Sequence, residues 1–233
     1  MKKLIVSILL LSLLLALFAG CGQESHDLLY SVEHDGTTYC VRGTDTQAKQ
    51  LVVKKGDEVL WSKSISVSEK VGARDGSYGF SADDLNFDGY RDLAIPTDVS
   101  GECSTYVCYL YNAQKKTYVY SEELSALYNV KSDATLKAVF GFSQTSTYEP
   151  AYQDVPAGVI TSDIATMYTW EKGVLTPNMR VSITHYPETS NYLYSVAYYD
   201  AETKSFSEDY GKEHWISEEK YKDADLSVIY YYK

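Results

Sequence analysis

Hydrophobic and polar residues alternate over short stretches of this chain, and turn-forming residues separate the stretches. Alternation with a period of two is typical of strands that bury one face. Two early turns are predicted at Asp35-Gly36 and Gly56-Asp57, because Asp and Gly favour tight hairpin turns. The flanking strand segments are residues 28–32 with 37–41, and residues 51–53 with 59–61.

The same alternation returns along the rest of the chain. Further strand segments are predicted at residues 93–95, 105–111, 117–120, 167–170, 174–175, 179–186, 192–199 and 226–232. Residues 121–124 begin with Ser and two Glu, which suits a helical turn, and residues 216–221 predict a second short helix. Residues 143–157 show no period and predict a long loop. The predicted fold class is mostly β with little helix, with antiparallel hairpins forming a sandwich or a partial propeller-like sheet assembly.

The N-terminus has the pattern of a secretory signal. Lys2-Lys3 precede an apolar run over residues 4–18, which is shorter than the roughly 20 apolar residues that span a bilayer. The residues just before and including Cys21 resemble the lipobox of bacterial lipoproteins. That resemblance implies that residues 1–20 are a lipoprotein signal peptide and that Cys21 is lipidated. Ordinary cleavage that leaves Cys21 as a free thiol is the alternative.

These boundaries predict the organisation of the mature chain. Residues 21–27 form a polar tether, and residues 28–233 form a single mostly β domain. The protein is predicted to be extracytoplasmic and anchored to the bacterial cell membrane through lipid on Cys21. Of the three other cysteines, Cys40, Cys103 and Cys108, the sequence leaves open whether two pair or all three are buried thiols.

The net charge of the chain limits the classes of partner that it is expected to bind. The net charge is −11, and removal of the signal takes away two lysines and no acid, so the mature net charge is −13. A chain this acidic argues against nucleic acid as a partner. An anionic membrane surface also repels it, so lipid rather than a basic patch is expected to hold it there.

One stretch, residues 84–92, has the spacing of a calcium loop. Oxygen-bearing side chains stand at its first, third, fifth and ninth places, glycine stands at the sixth, and a backbone carbonyl is available at the seventh. Calcium takes six to eight oxygen ligands, and a tightly coiled loop delivers them from alternate positions. The predicted Ca²⁺ ligands are the side chains of Asp84, Asn86, Asp88 and Asp92 and the carbonyl of Tyr90.

The stretch differs from an EF-hand. Ile95 occupies the twelfth place, where an EF-hand has a bidentate Glu, and the flanks alternate with a period of two. The loop is therefore predicted to join two strands rather than two helices. A solvated turn held by Asp and Asn side chains is the alternative, although three converging carboxylates repel one another without a cation.

Two blocks of the sequence resemble a known family. Asn86-Phe87-Asp88-Gly89-Tyr90, the strand at 93–95, Gly101 and the tyrosine-rich segments 106–112 and 118–124 are similar to the bacterial XAC2610-related proteins, and Tyr168 to Leu175 is similar more loosely. The calcium loop of that family is similar to those of FG-GAP and VCBS repeats. The resemblance implies an envelope or exported protein, and some members look like immunity proteins that inhibit lysozyme-like peptidoglycan hydrolases.

Common catalytic motifs are absent from the sequence. There is no Gly-x-Ser-x-Gly elbow, Walker A loop, His-Glu-x-x-His or Cys-x-x-Cys, and the four histidines are scattered singly. No catalytic residues are assigned, and the protein is predicted not to be an enzyme.

The predicted function is that of a calcium-binding lipoprotein that acts as a protein-binding module, an inhibitor of a cationic peptidoglycan hydrolase or an immunity-like protein. The alternative is a cell-wall glycan-binding or adhesion module, and a hydrolase is the third candidate. An acidic docking face favours the first, a row of exposed aromatic residues the second, and two carboxylates about 5–10 Å apart in a cleft the third. The tyrosines at 192–199 fit either core packing or such an aromatic surface.

Overall fold

The computed structural model describes residues 27–44, 47–68, 79–100, 103–149, 158–186, 191–207 and 214–217. These ranges hold fourteen strands and one short helix. The strands are β1 (Asp27–His34), β2 (Thr37–Gly43), β3 (Gln47–Lys55), β4 (Glu58–Ser68), β5 (Leu93–Ser100), β6 (Cys103–Asn112), β7 (Thr117–Ser121), β8 (Lys131–Asp133), β9 (Ala138–Glu149), β10 (Gly158–Glu171), β11 (Val174–Tyr186), β12 (Asn191–Asp200), β13 (Ser205–Phe206) and β14 (His214–Ser217), and the helix is α1 (Glu122–Ser125).

A four-stranded antiparallel sheet in the order β1-β2-β3-β4 begins the domain. His34 pairs with Thr37, so Asp35 and Gly36 alone form the first turn, with φ of 50° and 72°. Positive φ at both positions is the geometry of the type I′ hairpin that the sequence predicts. Both early hairpins are confirmed, because β3 also pairs with β4 across the turn at 56–57.

A three-stranded sheet in the order β5-β6-β7 follows, and α1 comes directly after its last strand. The predicted hairpin between residues 105–111 and 117–120 is confirmed by the pairing of β6 with β7. The helical turn begins where Ser121 predicts it: the Ser121 hydroxyl accepts a hydrogen bond from the N–H of Leu124 at 3.3 Å. Such a cap satisfies one of the amide groups that have no partner within the helix.

The remaining strands form a seven-stranded antiparallel sheet. Its order is β13-β12-β11-β10-β9-β8, and β14 also pairs with β12. Lys172 and Gly173 make the turn between β10 and β11 with φ of 53° and 83°, in the gap between the predicted strand segments 167–170 and 174–175. Every pairing is antiparallel, so the described strands form successive hairpins, and the predicted class, mostly β with little helix, is confirmed.

Three local predictions are wrong. Residues 143–149 are the second half of β9, paired with β10, and not a loop. Ser, Thr and Gln occupy residues 143–147, so this part lacks an apolar alternation. Its strand conformation comes from pairing with a neighbour that the local sequence does not reveal. Residues 216–217 belong to β14 rather than a helix, because they pair with β12. Residues 79–83, the described part of the segment before the acidic loop, form one isolated bridge, between Ser81 and Ala94, and not a strand.

Parts of other predictions lie outside the described residues. These are the signal at 1–20, Cys21 and nearly all of the tether, residues 150–157 of the predicted loop, residues 218–221 of the predicted helix, and the strand at 226–232.

Apolar residues from different sheets meet in two main clusters. In the first, Val41 and Leu51 of the four-stranded sheet pack with Leu93 and Ile95 of β5. In the second, Leu85, Cys108 and Leu124 pack with Val139 of β9. The acidic loop 84–92 therefore lies where the second cluster joins the three-stranded sheet to the seven-stranded sheet.

Within the described part of the chain, no helix has the length and apolar character needed to cross a membrane.

Candidate functional site

The acidic loop 84–92 is closed at its base by the backbone. The N–H of Asp92 donates to the carbonyl oxygen of Asp83 at 2.7 Å, just before β5 begins. Gly89, the glycine at the sixth place of the loop, has a φ of 90°, which glycine adopts without steric cost, and Phe87 also has a positive φ, of 60°. The loop thus turns back on itself within nine residues.

Three of the predicted ligand side chains converge inside this turn. The carboxylate of Asp84 accepts hydrogen bonds from the N–H groups of Asp88 at 3.1 Å and Gly89 at 2.9 Å. The amide oxygen of Asn86 accepts from the same Asp88 N–H at 3.1 Å, and the Asp88 carboxylate accepts from the N–H of Tyr90 at 2.9 Å. Because Asp84 and Asn86 bond the same amide, their oxygens lie side by side.

Asp92 is placed differently from the other three. Its side chain is completely buried. One carboxylate oxygen accepts a hydrogen bond from the N–H of Leu85 and the other accepts one from the N–H of Tyr111, each at 2.8 Å. Burial raises the pKa of Asp92 to about 7, against the effect of those two hydrogen bonds, and the negative charges of Asp88 and Asp84 raise it further. A nearby cation would favour the charged form of this carboxylate.

The ligand atoms available in the loop are of the type that calcium prefers. Three carboxylates, one amide oxygen and one backbone carbonyl are the hard oxygen ligands that calcium takes. Among the described residues, no three or more His, Cys, Asp and Glu side chains lie together as a group that could hold a metal, and the predicted ligand set also depends on Asn86 and the Tyr90 carbonyl. The hydrogen bonds inside the loop also match a solvated turn. Calcium at Asp84, Asn86, Asp88, Tyr90 and Asp92 therefore stays a prediction.

A cleft opens beside the loop, and the sequence alone does not predict it. It has a volume of about 330 Å³, and four aromatic rings form one continuous row along it, from Tyr90 in the loop through Tyr111 and Tyr118 to Trp61 on β4. The centroids are 5.3 Å apart for Tyr90 and Tyr111, 5.1 Å for Tyr111 and Tyr118, and 4.8 Å for Tyr118 and Trp61. We call this feature the aromatic cleft.

Few polar groups line the aromatic cleft. Two are the hydroxyls of Tyr39 and Tyr118, which share a hydrogen bond, and burial raises the pKa of both phenols above its usual value. Both side chains are therefore neutral at ordinary pH. The lining also includes Thr37 and the cationic side chains of Arg91 and Lys116.

The tyrosines at 192–199, for which the sequence allows core packing or an aromatic surface, do not line this cleft. On β12, Tyr192 and Tyr194 are half-buried and pack against the cluster formed by Val181 and Ile183, which favours the core-packing interpretation for these two. The signal for the cleft was present instead in β6 and β7, where tyrosines alternate on facing strands. Trp61, the last ring of the row, lies on the four-stranded sheet, and the sequence does not show that this sheet meets β6 and β7.

The three described cysteines are free thiols. Cys40 and Cys108 are buried, and Cys103 is half-buried. This agrees with the interpretation of Cys40 and Cys108 as small buried hydrophobic residues.

Comparisons with known proteins give one informative match. The sequence matches no family model and none of the curated proteins compared with it. The fold matches a solved structure described as a Xanthomonas type IV secretion system related protein, with a TM-score of 0.52 and 10% sequence identity, over 81% of this chain and 95% of that one. At this identity the likeness shows a shared fold alone. It is consistent with the resemblance to the XAC2610-related proteins.

Proposed function

We propose that this protein is an exported lipoprotein of the bacterial cell envelope, that its β domain binds calcium, and that it acts by binding a partner rather than by catalysis. The observation that carries the calcium proposal is the convergence of Asp84, Asn86 and Asp88 inside a nine-residue loop, above a buried Asp92. The signal and lipobox patterns support the anchoring at Cys21 and the extracytoplasmic location.

The residues of the loop have distinct roles in this proposal. Asp84, Asn86, Asp88 and Asp92 supply side-chain oxygens and Tyr90 supplies its carbonyl. Calcium supplies positive charge that offsets the mutual repulsion of three carboxylates. Asp92 also accepts a hydrogen bond from the N–H of Tyr111 on β6, so the loop is attached to the three-stranded sheet.

We further propose a cationic peptidoglycan hydrolase as the partner, with the protein as its inhibitor or immunity-like module. The mature net charge of −13 and the resemblance to the XAC2610-related proteins support this. Peptidoglycan is anionic, so enzymes that act on it benefit from positive charge, and an acidic inhibitor associates faster with such enzymes. The aromatic cleft favours the second candidate, a glycan-binding module.

Thermal unfolding with and without calcium tests the metal. A ligand at a hundred times its dissociation constant stabilises a fold by about 2.7 kcal/mol, which raises the melting temperature of a domain this size by several degrees. We expect the wild type to melt lower in chelator, and Asp88→Ala to melt at one temperature in both conditions. Asp57→Ala, an exposed aspartate in the second hairpin turn, is the matched control and should respond as the wild type does. Superimposable wild-type curves with calcium and with chelator would remove the site.

A hydrolase panel tests the partner. The protein should slow at least one lysozyme-type or amidase-type enzyme at micromolar concentration. Failure against the whole panel, together with binding to purified peptidoglycan, would favour the glycan-binding module instead.

A further inference from the structure

We propose that the aromatic cleft binds a sugar ring that carries a carboxylate. This goes beyond the calcium loop and beyond hydrolase inhibition, because it depends only on the shape and chemistry of the cleft. Ligand sites are concave, mostly apolar, and about 300–1,000 Å³ in volume, with a few polar groups that set orientation. At about 330 Å³, the cleft fits one small ligand or the end of a longer one.

The row of rings supplies the apolar contact. Tyr90, Tyr111, Tyr118 and Trp61 stand in sequence with centroid separations of 4.8–5.3 Å, so their faces and edges form one extended surface. A pyranose is amphipathic: its C–H groups form an apolar face, while its hydroxyls point outward from the ring edge. Aromatic rings match the C–H face, and they lose little conformational freedom when they bind. Trp61 and Tyr118 are fixed in place because they pack against the first apolar cluster.

Two cations decide the charge of the ligand. Arg91 and Lys116 line the cleft, and its described lining includes no Asp or Glu. Two acids stand near the cleft: Asp83 pairs with Arg91 at 3.8 Å, and both oxygens of the buried Asp92 accept backbone hydrogen bonds. More distant exposed acids are largely screened at physiological salt, so Arg91 and Lys116 are the charged side chains that an anion inside the cleft contacts directly. An arginine guanidinium can donate two parallel hydrogen bonds to the two oxygens of a carboxylate, which fixes the orientation of the carboxylate.

Arg91 is available for such a contact. It forms an ion pair with Asp83, with 3.8 Å between the two charged groups, and both side chains are exposed, at 39% and 49%. Exposed pairs of this kind contribute little to stability, so a ligand carboxylate can replace Asp83 without disturbing the fold.

The tyrosine hydroxyls complete the recognition. The phenols of Tyr39 and Tyr118 stay neutral and hydrogen-bond each other in the cleft wall. A hydroxyl both donates and accepts, so this pair keeps capacity for the hydroxyls of a sugar. An acidic peptide uses the same cations, but it has no ring of C–H groups to cover the aromatic row.

Calorimetry on the full protein in detergent tests the proposal with three probes of defined chemistry. A tetramer of galacturonic acid supplies rings and carboxylates, a tetramer of galactose supplies rings alone, and tetraglutamate supplies carboxylates alone. We expect the galacturonate to bind at least about tenfold more tightly than either of the others, as loss of a charge-assisted contact implies. Equal affinity for the galactose or for tetraglutamate overturns the proposal, as does no binding of the galacturonate at millimolar concentration.

Two matched pairs of variants locate the binding. Lys116→Gln removes a cleft cation at a position with φ of 48°, and Lys115→Gln removes the adjacent exposed lysine outside the cleft lining. Only the first should weaken binding, by about tenfold. Tyr90→Ala should weaken it about threefold to tenfold, whereas Tyr120→Ala, an exposed tyrosine outside the cleft lining, should not. Equal effects within either pair place the ligand elsewhere. Because Tyr90 and Arg91 belong to the acidic loop, the titrations are made with calcium present. Binding of the galacturonate requires neither a shift in melting temperature with calcium nor binding of a hydrolase, so each of the three experiments can fail while the others succeed.

Discussion

The indole Nε1 of Trp170 donates a hydrogen bond to the backbone carbonyl oxygen of Leu85, with 2.8 Å between the two atoms. Trp170 lies on β10 of the seven-stranded sheet, and Leu85 is the second residue of the acidic loop. The N–H of Leu85 donates to Asp92, so both backbone groups of this one residue are fixed. The Leu85 side chain is buried in the second apolar cluster, against which the Trp170 ring packs. The loop is thereby held to a strand that is 85 residues away in sequence.

Replacement of Trp170 tests this connection. Trp170→Phe keeps an aromatic ring but removes the donor, which leaves the carbonyl of Leu85 without that partner. A polar group left unsatisfied in a buried place costs about 1–3 kcal/mol. We expect the melting temperature, followed by circular dichroism, to fall by about 2–12 °C for a domain of this size. Tyr148→Phe, at a tyrosine that is 68% exposed, is the control and should change stability by less than about 0.5 kcal/mol. A Trp170→Phe protein as stable as the wild type would show that the bond contributes nothing.

Local turn chemistry accounts for what the sequence predicts well. Asp35 and Gly36 specify a hairpin because few residues accept positive φ at two adjacent positions, and the turn forms where the sequence predicts it. The spacing of Asp84, Asn86 and Asp88 likewise places their oxygens together without reference to the rest of the fold. Each of these predictions involves residues that are close in sequence.

Contacts between distant segments account for what the sequence does not reveal. The bond from Trp170 to Leu85, and the contact of Trp61 on β4 with Tyr118 on β7, depend on how whole sheets pack. The second half of β9 is rich in Ser and Thr, and it becomes a strand because β10 supplies a complementary row of backbone partners. The alternation rule detects buried faces, so it misses a strand of this kind.

The three described cysteines should differ in reactivity. The thiolate is the reactive form, and burial raises the pKa of Cys108 to about 12 and also raises that of Cys40. Cys103 is half-buried on the same strand as Cys108. We expect a thiol reagent at pH 8 to label Cys103 first in the native protein, as measured by mass spectrometry of the digested peptides. Cys103→Ser should remove the fast peptide without exposing the other two. Native-state labelling of Cys108 as fast as that of Cys103 would contradict the burial.

The anchoring proposal makes a prediction about cell fractions. Cys21→Ala removes the sulfur that would carry lipid, so the protein should leave the membrane fraction and appear in soluble extracts. Labelled fatty acid should enter the wild type and not the variant. A Cys40→Ala protein, altered at a buried described cysteine, should fractionate as the wild type does. Absence of label from the wild-type chain would show that the signal is of the ordinary kind.

The inhibitor proposal makes a prediction about salt. Attraction between an acidic inhibitor and a cationic hydrolase acts over a long range, and the Debye length shortens from about 30 Å at 0.01 M salt to about 8 Å at 0.15 M. Encounter is accelerated by this attraction, whereas dissociation depends on contacts already formed. We expect the association rate, measured by surface plasmon resonance, to fall about tenfold or more over that range, with little change in the dissociation rate. An acidic hydrolase is the control and should associate slowly at both concentrations. If a cationic hydrolase binds with a salt-independent association rate, the net charge of −13 has no part in recognition, and the acidity serves only to keep the domain soluble.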